Sequence, residues 1–514
     1  MHTFTHHPPY DVIISGAGPV GLFLACELAL AKCSVLVLEK NPSPTSALKQ
    51  LPFGMRGLNS LSIESLYRRG MLEELQIHKQ LKHPHSQPKN PPPAPQAGHF
   101  AGIPLLLSNI DHTQYKFQLP SSTPTALISE MQELENVLLQ RAVSLGVTIL
   151  RDQAVTGFEQ TADNVTVFTN DHTYTSGWLV GADGSRSVVR KNGGFDFAGT
   201  EPAFTGYTAK VEFADPEKLR PGRVATPHGL YLQSQPGYIV IQDFDGGAFH
   251  GAGEPLTLKH LQSVLRRISG TDITINIMHT ATTWTDRARQ ATAYRNNRVL
   301  LAGDAAHIHS PLGGQGLNLG LGDAINLGWK LAATIHNNAP EGLLDSYFTE
   351  RYPIGEKVLD WSRAQVAIMH PDPHSRALNA MMRELLNTRD GATYAAGRVW
   401  GIFTHYDLGG QHPLTGYSVP NFAFKDGHTI GSMMHDGSGI LLDFHQNAAL
   451  KTIAAAYPQH LKYISATPEI SLGINALLIR PDGIVAWATD QQPDITELQM
   501  ALDRWFTNSK VLQH

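Results

Sequence analysis

Two glycine-rich turns, each set between an apolar strand and a helix, constrain this chain more than any other feature. The first reads G-A-G-P-V-G from Gly16 to Gly21, with Pro19 inside it. Val12, Ile13 and Ile14 before it form the short apolar run of a buried parallel strand. Gly16 permits the tight turn, Gly18 lets backbone approach a pyrophosphate, and Gly21 lets the next helix pack on the strand. An apolar helix from Val20 to Leu30 then offers unpaired amides and a positive dipole end to phosphate. A second strand, Val35 to Leu38, ends at Glu39, 18 residues past Gly21. An acid there can accept both hydroxyls of an adenosine ribose. Lys40 beside it reads as a solvated neighbour.

The second turn lies far along the chain, as L-L-A-G-D-A-A-H (Leu300 to His307) running into P-L-G-G-Q-G-L-N (Pro311 to Asn318). Arg298 to Ala302 is predicted as a strand that ends at Gly303-Asp304. Asp304 can serve as an acceptor for a polyol such as ribitol, or as a helix N-cap. Gly313, Gly314 and Gly316 permit a flat backbone next to a ring. The helix predicted from Leu317 to Ala333 would aim its N-terminus at that ring. Between the turns lies G-A-D-G-S-R-S-V-V-R, Gly181 to Arg190. Two phosphate-type turns with this third element indicate one long cofactor held at both ends, FAD. His307 and His309 have no metal-type partner spacing, so packing near the cofactor is the preferred reading.

The chain is similar on these motifs to the class A flavoprotein monooxygenases, the para-hydroxybenzoate hydroxylase family. Within it the likeness is nearest to aromatic polyketide hydroxylases and rifampicin monooxygenase. The resemblance extends over nearly the whole length and includes Y-F-T-E-R-Y-P from Tyr347 to Pro353. It implies that Gly16, Gly18, Pro19 and Gly21 meet the pyrophosphate, with Glu39 and Lys40 at the adenosine ribose. Gly303 and Asp304 fall at the ribitol. Pro311, Gly314, Gly316, Leu317 and Asn318 fall at the isoalloxazine. Asp183 and Arg186 fall in an element used for both FAD and NADPH. Arg56 is implied as a cofactor contact although it is displaced by two positions. Leu61 stands where a second arginine is common, and Met131 with Gln132 replaces a common glutamine.

The implied reaction uses NAD(P)H, taken as NADPH, to reduce FAD. Oxygen then gives a flavin 4a-hydroperoxide that hydroxylates an aromatic or polycyclic phenol. A related reductase that never activates oxygen and a non-catalytic FAD module are the alternatives. No catalytic base is identified. His228, Tyr231 and Asp243 fall in the substrate region and are equally readable as ordinary structure.

The fold expected is α/β. Residues 1–190 form the first part of a Rossmann-type FAD-binding domain. Residues 191–283 form an inserted antiparallel β-sheet over the substrate, and 284–400 complete the FAD domain with connecting helices. Residues 410–514 resemble a thioredoxin-like C-terminal domain. No cysteine follows Cys33, so that unit has no C-x-x-C pair for disulfide exchange. It is left with structural support or an oligomer contact, and a homodimer is one expectation. Phe204, Tyr231, Tyr238, Phe244 and Phe249 in the insert are readable as substrate-stacking residues or as sheet core.

A formal net charge of −5 offers no basic field for nucleic acid. No apolar run reaches the roughly 20 residues of a membrane helix. Cys26 and Cys33 read as buried packing residues, and a cytoplasmic location is expected. The N-terminal M-H-T-F-T-H-H-P-P-Y is expected to be a loose tail. The stretch from His83 to Gln96, with six prolines, is expected to be a loop.

Overall fold

A computed structural model describes residues 10–75, 95–120, 123–457 and 461–507. The histidine-bearing tail and all but the end of the proline-rich stretch lie outside them; Gln96 opens a short strand, Gln96–Phe100.

Five parallel strands form the centre of the molecule, in the order Val299–Leu301, Thr173–Gly181, Tyr10–Ser15, Val35–Glu39, Thr148–Arg151. Ile13 pairs with Leu179 on one side and Leu36 on the other. Val12, Ile13 and Ile14 are fully buried, as a parallel strand covered on both faces requires. Helix Pro19–Leu30 covers one face and packs on helices Met131–Ser144 and Gln315–Ile335. The antiparallel strands Val155–Gln160 and Val165–Thr169 extend this sheet.

The insert is a five-stranded antiparallel sheet in the order Gly222–Thr226, Gly229–Gln235, Tyr238–Asp243, Thr205–Phe213, Ile275–Thr285. Its composition reads as strand throughout, but a 12-residue helix, Leu258–Ser269, lies within it. Leu261, Val264, Leu265 and Ile268 of that helix are buried against Tyr207, Ile239 and Ile241. Their helical spacing is visible in the sequence beneath the surrounding threonines and aromatics.

The C-terminal unit holds four strands in the order Leu461–Ser465, Gly439–Asp443, Ala476–Ile479, Val485–Thr489. The first two are parallel and the rest antiparallel. Its core is continuous with the nucleotide-binding half: Leu319, Trp329 and Ile354 pack in one cluster with Leu441, Leu498 and Trp505. Arg480, fully buried, ties the same boundary. Its Nη1 and Nη2 donate to the two oxygens of Glu350 at 2.7 and 2.8 Å, and its Nε donates to Asp482 at 3.1 Å. Lys330 Nζ reaches Glu350 at 2.9 Å, so two buried cations meet two buried anions.

Cys26 and Cys33 are both buried and form no disulfide. Among the described residues, no helix is long and apolar enough to cross a membrane.

Candidate functional site

The two glycine turns meet in space. Gly303 packs on Val20, in the first turn of the first helix: a Cβ on Gly303 would lie 3.1 Å from the Val20 side chain. Gly320 of the long helix closes the same contact, its Cβ position 2.5 Å from Val20. Asp304 therefore opens onto the same cleft as Gly18 and Pro19.

Each fingerprint glycine has a separate reason. Gly16 has φ +109°, and a Cβ there would lie 2.4 Å from the Ala182 carbonyl oxygen. Gly21 lies so close to the turn that its Cβ would fall 2.0 Å from the Gly16 oxygen. Gly18 faces open space, with nothing within 4 Å. It is also the N-cap residue of helix Pro19–Leu30, and no side chain caps that end. The amides there are left for an outside acceptor.

Glu39 is buried, and its Oε2 accepts from Ala17 N at 2.8 Å. Its Oε1 accepts from Asn41 N and Nδ2 at 2.9 and 2.7 Å. A carboxylate has about four acceptor positions, so these bonds orient it without filling it. Lys40 is exposed just beyond.

Asp304 lies within a short 3-10 turn, Gly303–Ala305, and makes no cap bond, so the N-cap reading fails. Its side chain is exposed to the cleft and bonds to none of the described residues. The dense walls raise its carboxyl above the usual range, while His307 and Arg56 pull the other way. Arg56 Nη1 donates to the Phe53 and Met55 carbonyls at 3.0 and 2.9 Å. Tyr238, edge-on to Phe53 at 5.4 Å, completes that wall. Gly316 faces the same space: a Cβ there would lie 3.3 Å from His309 Nε2 and 4.0 Å from Asp304 Oδ1.

The loop after Pro311 turns through Gly313 and Gly314, both at positive φ, into helix Gln315–Ile335. Gly316, Leu317 and Asn318 thus occupy its first turn, which lacks a side-chain cap. The Asn318 side chain is committed elsewhere. Its Oδ1 accepts from Asn59 N at 2.9 Å, and its Nδ2 donates to Gly57 O and Gly314 O, both at 2.9 Å. Gln132 Nε2 donates to Pro44 O at 3.3 Å and Asn136 at 3.1 Å.

The middle element is tied to the second turn by Arg190, whose Nη1 donates to Ala305 O and Nη2 to Ser185 O, both at 2.9 Å. Asp183 Oδ2 accepts from Val188 N and Val189 N at 2.8 and 3.1 Å, which holds the start of the following helix. Arg186 is exposed. In the insert, Tyr231 and Phe204 are core, Asp243 is paired with Arg267, and His228 lies exposed in a turn.

Asp323 was not singled out by the sequence, since it sits inside an apolar helix. It is fully buried and organises the second turn. Its Oδ2 accepts from Gly303 N at 2.9 Å and from His307 Nε2 at 2.6 Å, and its Oδ1 accepts from Arg351 Nε at 2.8 Å. Burial alone would raise this carboxyl, but His307 and Arg351 outweigh it and hold it below the usual range. A charged residue in an apolar helical run was the available signal. Asp323→Asn is expected to cost about 1–3 kcal/mol through the unpaired partners. The readouts are a lower unfolding temperature and weaker flavin retention. Burial also lowers His309 to about 4. It is neutral at pH 7, with Nδ1 on the Ser310 carbonyl at 2.7 Å.

A cleft with two uncapped helix ends, an oriented acid at one strand tip and an unbonded acid at another suits a dinucleotide with a polyol arm. The residues present fit FAD. Residues 9–362 match the FAD binding domain family, and 412–509 match the aromatic-ring hydroxylase C-terminal family. The chain belongs to this family of FAD-dependent aromatic-ring monooxygenases. A monooxygenase from Claviceps purpurea is 41% identical over 96% of this chain and 97% of its own. Rifampicin monooxygenase from Streptomyces venezuelae is 35% identical over 97% and 98%. The solved anhydrotetracycline hydroxylase OxyS from Streptomyces rimosus superimposes with a TM-score of 0.84 at 35% identity, over 97% of this chain and 99% of that one.

Proposed function

We propose that the protein uses NADPH, FAD and O2 to place one oxygen atom on an electron-rich ring of a polycyclic phenolic compound. The observation that carries this reading is the contact between the loop after Pro311 and a cluster of packed apolar side chains. Leu312 of that loop, with Phe244 and Trp361, packs on Phe100, Ile368, Met369 and Trp400. Gln365 lies at this contact, fully buried: its Oε1 accepts from Ala101 N at 3.0 Å. Its Nε2 has no partner and stands 3.4 Å from the Cβ position of Gly313. The relatives reported above include enzymes named for tetracycline and rifamycin substrates, which are large ring systems.

Bound FAD supplies the electron transfer and oxygen activation. The chain's residues do the rest. The uncapped amides after Gly18 hold the pyrophosphate, Glu39 holds the adenosine ribose, and Asp304 holds the ribitol. The first turn of helix Gln315–Ile335 places its positive dipole end at the ring. The apolar cluster behind the loop excludes water from that side of the reacting centre. Gln365 Nε2 is the donor that orients a substrate oxygen.

In this reading residues 1–190 and 284–400 form a Rossmann-type FAD domain, and 191–283 form the substrate sheet. Residues 410–514 are thioredoxin-like without a redox pair, supported by the 2-1-3-4 strand order. The enzyme is taken as cytoplasmic, and a homodimer is retained as its assembly. The test is NADPH oxidation and oxygen uptake across phenols, anthracyclines, tetracyclines and rifamycins, with product mass measured. A product heavier by one oxygen atom supports the proposal. NADPH oxidation without oxygen transfer to any substrate favours the reductase reading, and a flavin that never bleaches favours the non-catalytic one.

A further inference from the structure

A second cavity, of about 110 Å³, lies on the other side of the long helix from the cofactor cleft. Gln315, Asn318, Leu319, Gly322 and Ile325 line it, at the three- and four-residue spacing of one helix face. The opposite face looks toward the cofactor side: Gly316 toward His309, Gly320 toward Val20 and Gly328 toward Glu27. The Asn318 side chain, fully bonded to protein, forms the partition between the two spaces.

Two buried donors line this cavity without an acceptor. Ser62 is 3% exposed and Arg68 is 1% exposed, and neither Ser62 Oγ nor Arg68 Nε has a hydrogen-bond partner. Arg68 Nη2 is already used by Glu64, Ser418 and the Val419 carbonyl. A guanidinium Nε–H can only donate, so what satisfies it must be an acceptor. Lys357 and Arg398, also on the lining, have no carboxylate partner among the described residues. Arg398 lies over the Trp361 ring at 5.1 Å. The acid on the lining, Asp482, is held by Arg480. Arg351, also on the lining, is held by Asp323, and Leu319, Ile325, Ile354, Val358 and Phe403 supply an apolar stretch of wall beside polar groups such as Thr404 and Tyr406.

We propose that this cavity binds a small carboxylate anion, its oxygens accepting from Ser62 and Arg68 and its alkyl end against the apolar wall. Lys357 and Phe403 are exposed and mark the mouth. The positive charge of Lys357 and Arg398 draws an anion in and disfavours a cation. Size sets the other limit. A cavity of about 150 Å³ holds benzene, so this smaller one admits acetate, propionate or butyrate and rejects benzoate.

The test uses the purified full-length flavoprotein and calorimetric titration with sodium propionate against sodium chloride at equal ionic strength. Saturable one-to-one binding of propionate is expected, displaced by butyrate and absent for benzoate and methylammonium. Ser62→Ala keeps the fold, removes one donor and is expected to weaken propionate about ten-fold. Arg398→Gln is expected to weaken it in the same direction and to reduce its salt dependence. No saturable heat, parent-like affinity in both variants, or equal binding of methylammonium would each overturn the proposal. The readout is binding, not turnover, so its outcome is separate from that of the oxygenation assay.

Discussion

Gly18→Ala is expected to fold as the parent does and to lose its flavin. Gly18 has φ −77°, which alanine adopts freely, and a Cβ there meets no protein atom within 4 Å. The unfolding temperature of the flavin-free protein should therefore stay unchanged. The methyl group instead points into the space proposed for the pyrophosphate, where backbone must come close. An overpacking cost of about 3 kcal/mol corresponds to roughly hundred-fold weaker FAD binding. The measurement is flavin absorbance after dialysis, with reconstitution by added FAD. Gly21→Ala provides the contrast. Its Cβ would fall 2.0 Å from a backbone oxygen that no rotamer change can move, so both fold and flavin should suffer. If Gly18→Ala retained flavin as tightly as the parent, the pyrophosphate would not lie at this turn.

Glu350→Gln is expected to cost about 3–5 kcal/mol of stability, because it leaves Arg480 and Lys330 buried with one fewer opposing charge. Urea unfolding followed by tryptophan fluorescence measures it, and Trp329 and Trp505 flank the network. Arg389→Ala, which removes an exposed partner of Asp111, should cost less than about 1 kcal/mol. The pH dependence follows from the same pairing. Burial alone would raise the Glu350 carboxyl, but Arg480 and Lys330 outweigh it and hold it well below its ordinary value of 4.5. A carboxyl depressed in the folded state contributes stability above its unfolded pKa and loses it as pH falls through the folded one. The parent should thus lose stability steadily below about pH 4.5, and the variant should lack that component. Identical acid titrations of the two proteins would contradict this account.

The elements that were legible in the sequence share one property. Each is specified by neighbours in the chain: Val12 to Ile14 by an apolar run, Gly16 to Gly21 by a turn, and Gly313 and Gly314 by a glycine-rich run that permits a flat backbone. Helix Leu258–Ser269 was equally local but was obscured by the strand-rich composition around it. Asp323 and Glu350 were not legible as network centres, since a lone acid in a helix carries no mark of which cation it will meet. The partners lie far away: Arg480 is 130 positions from Glu350. Asp183 shows the complementary difficulty. Its motif pointed to a ligand; its Oδ2 is occupied by two backbone amides, while its buried Oδ1 has no partner among the described residues.

What the sequence alone determined is the family, the cofactor and the order of strands and glycine turns along the chain. These depend on backbone conformations and short-range periodicity, which a residue and its nearest neighbours decide. Only the tertiary structure decided that Gly303 rests on Val20, that four charges from distant segments neutralise one another at the C-terminal boundary, and that a cavity lies behind the long helix. Those facts arise from close packing between segments remote in the chain, where a fit of a few tenths of an ångström decides whether two groups meet.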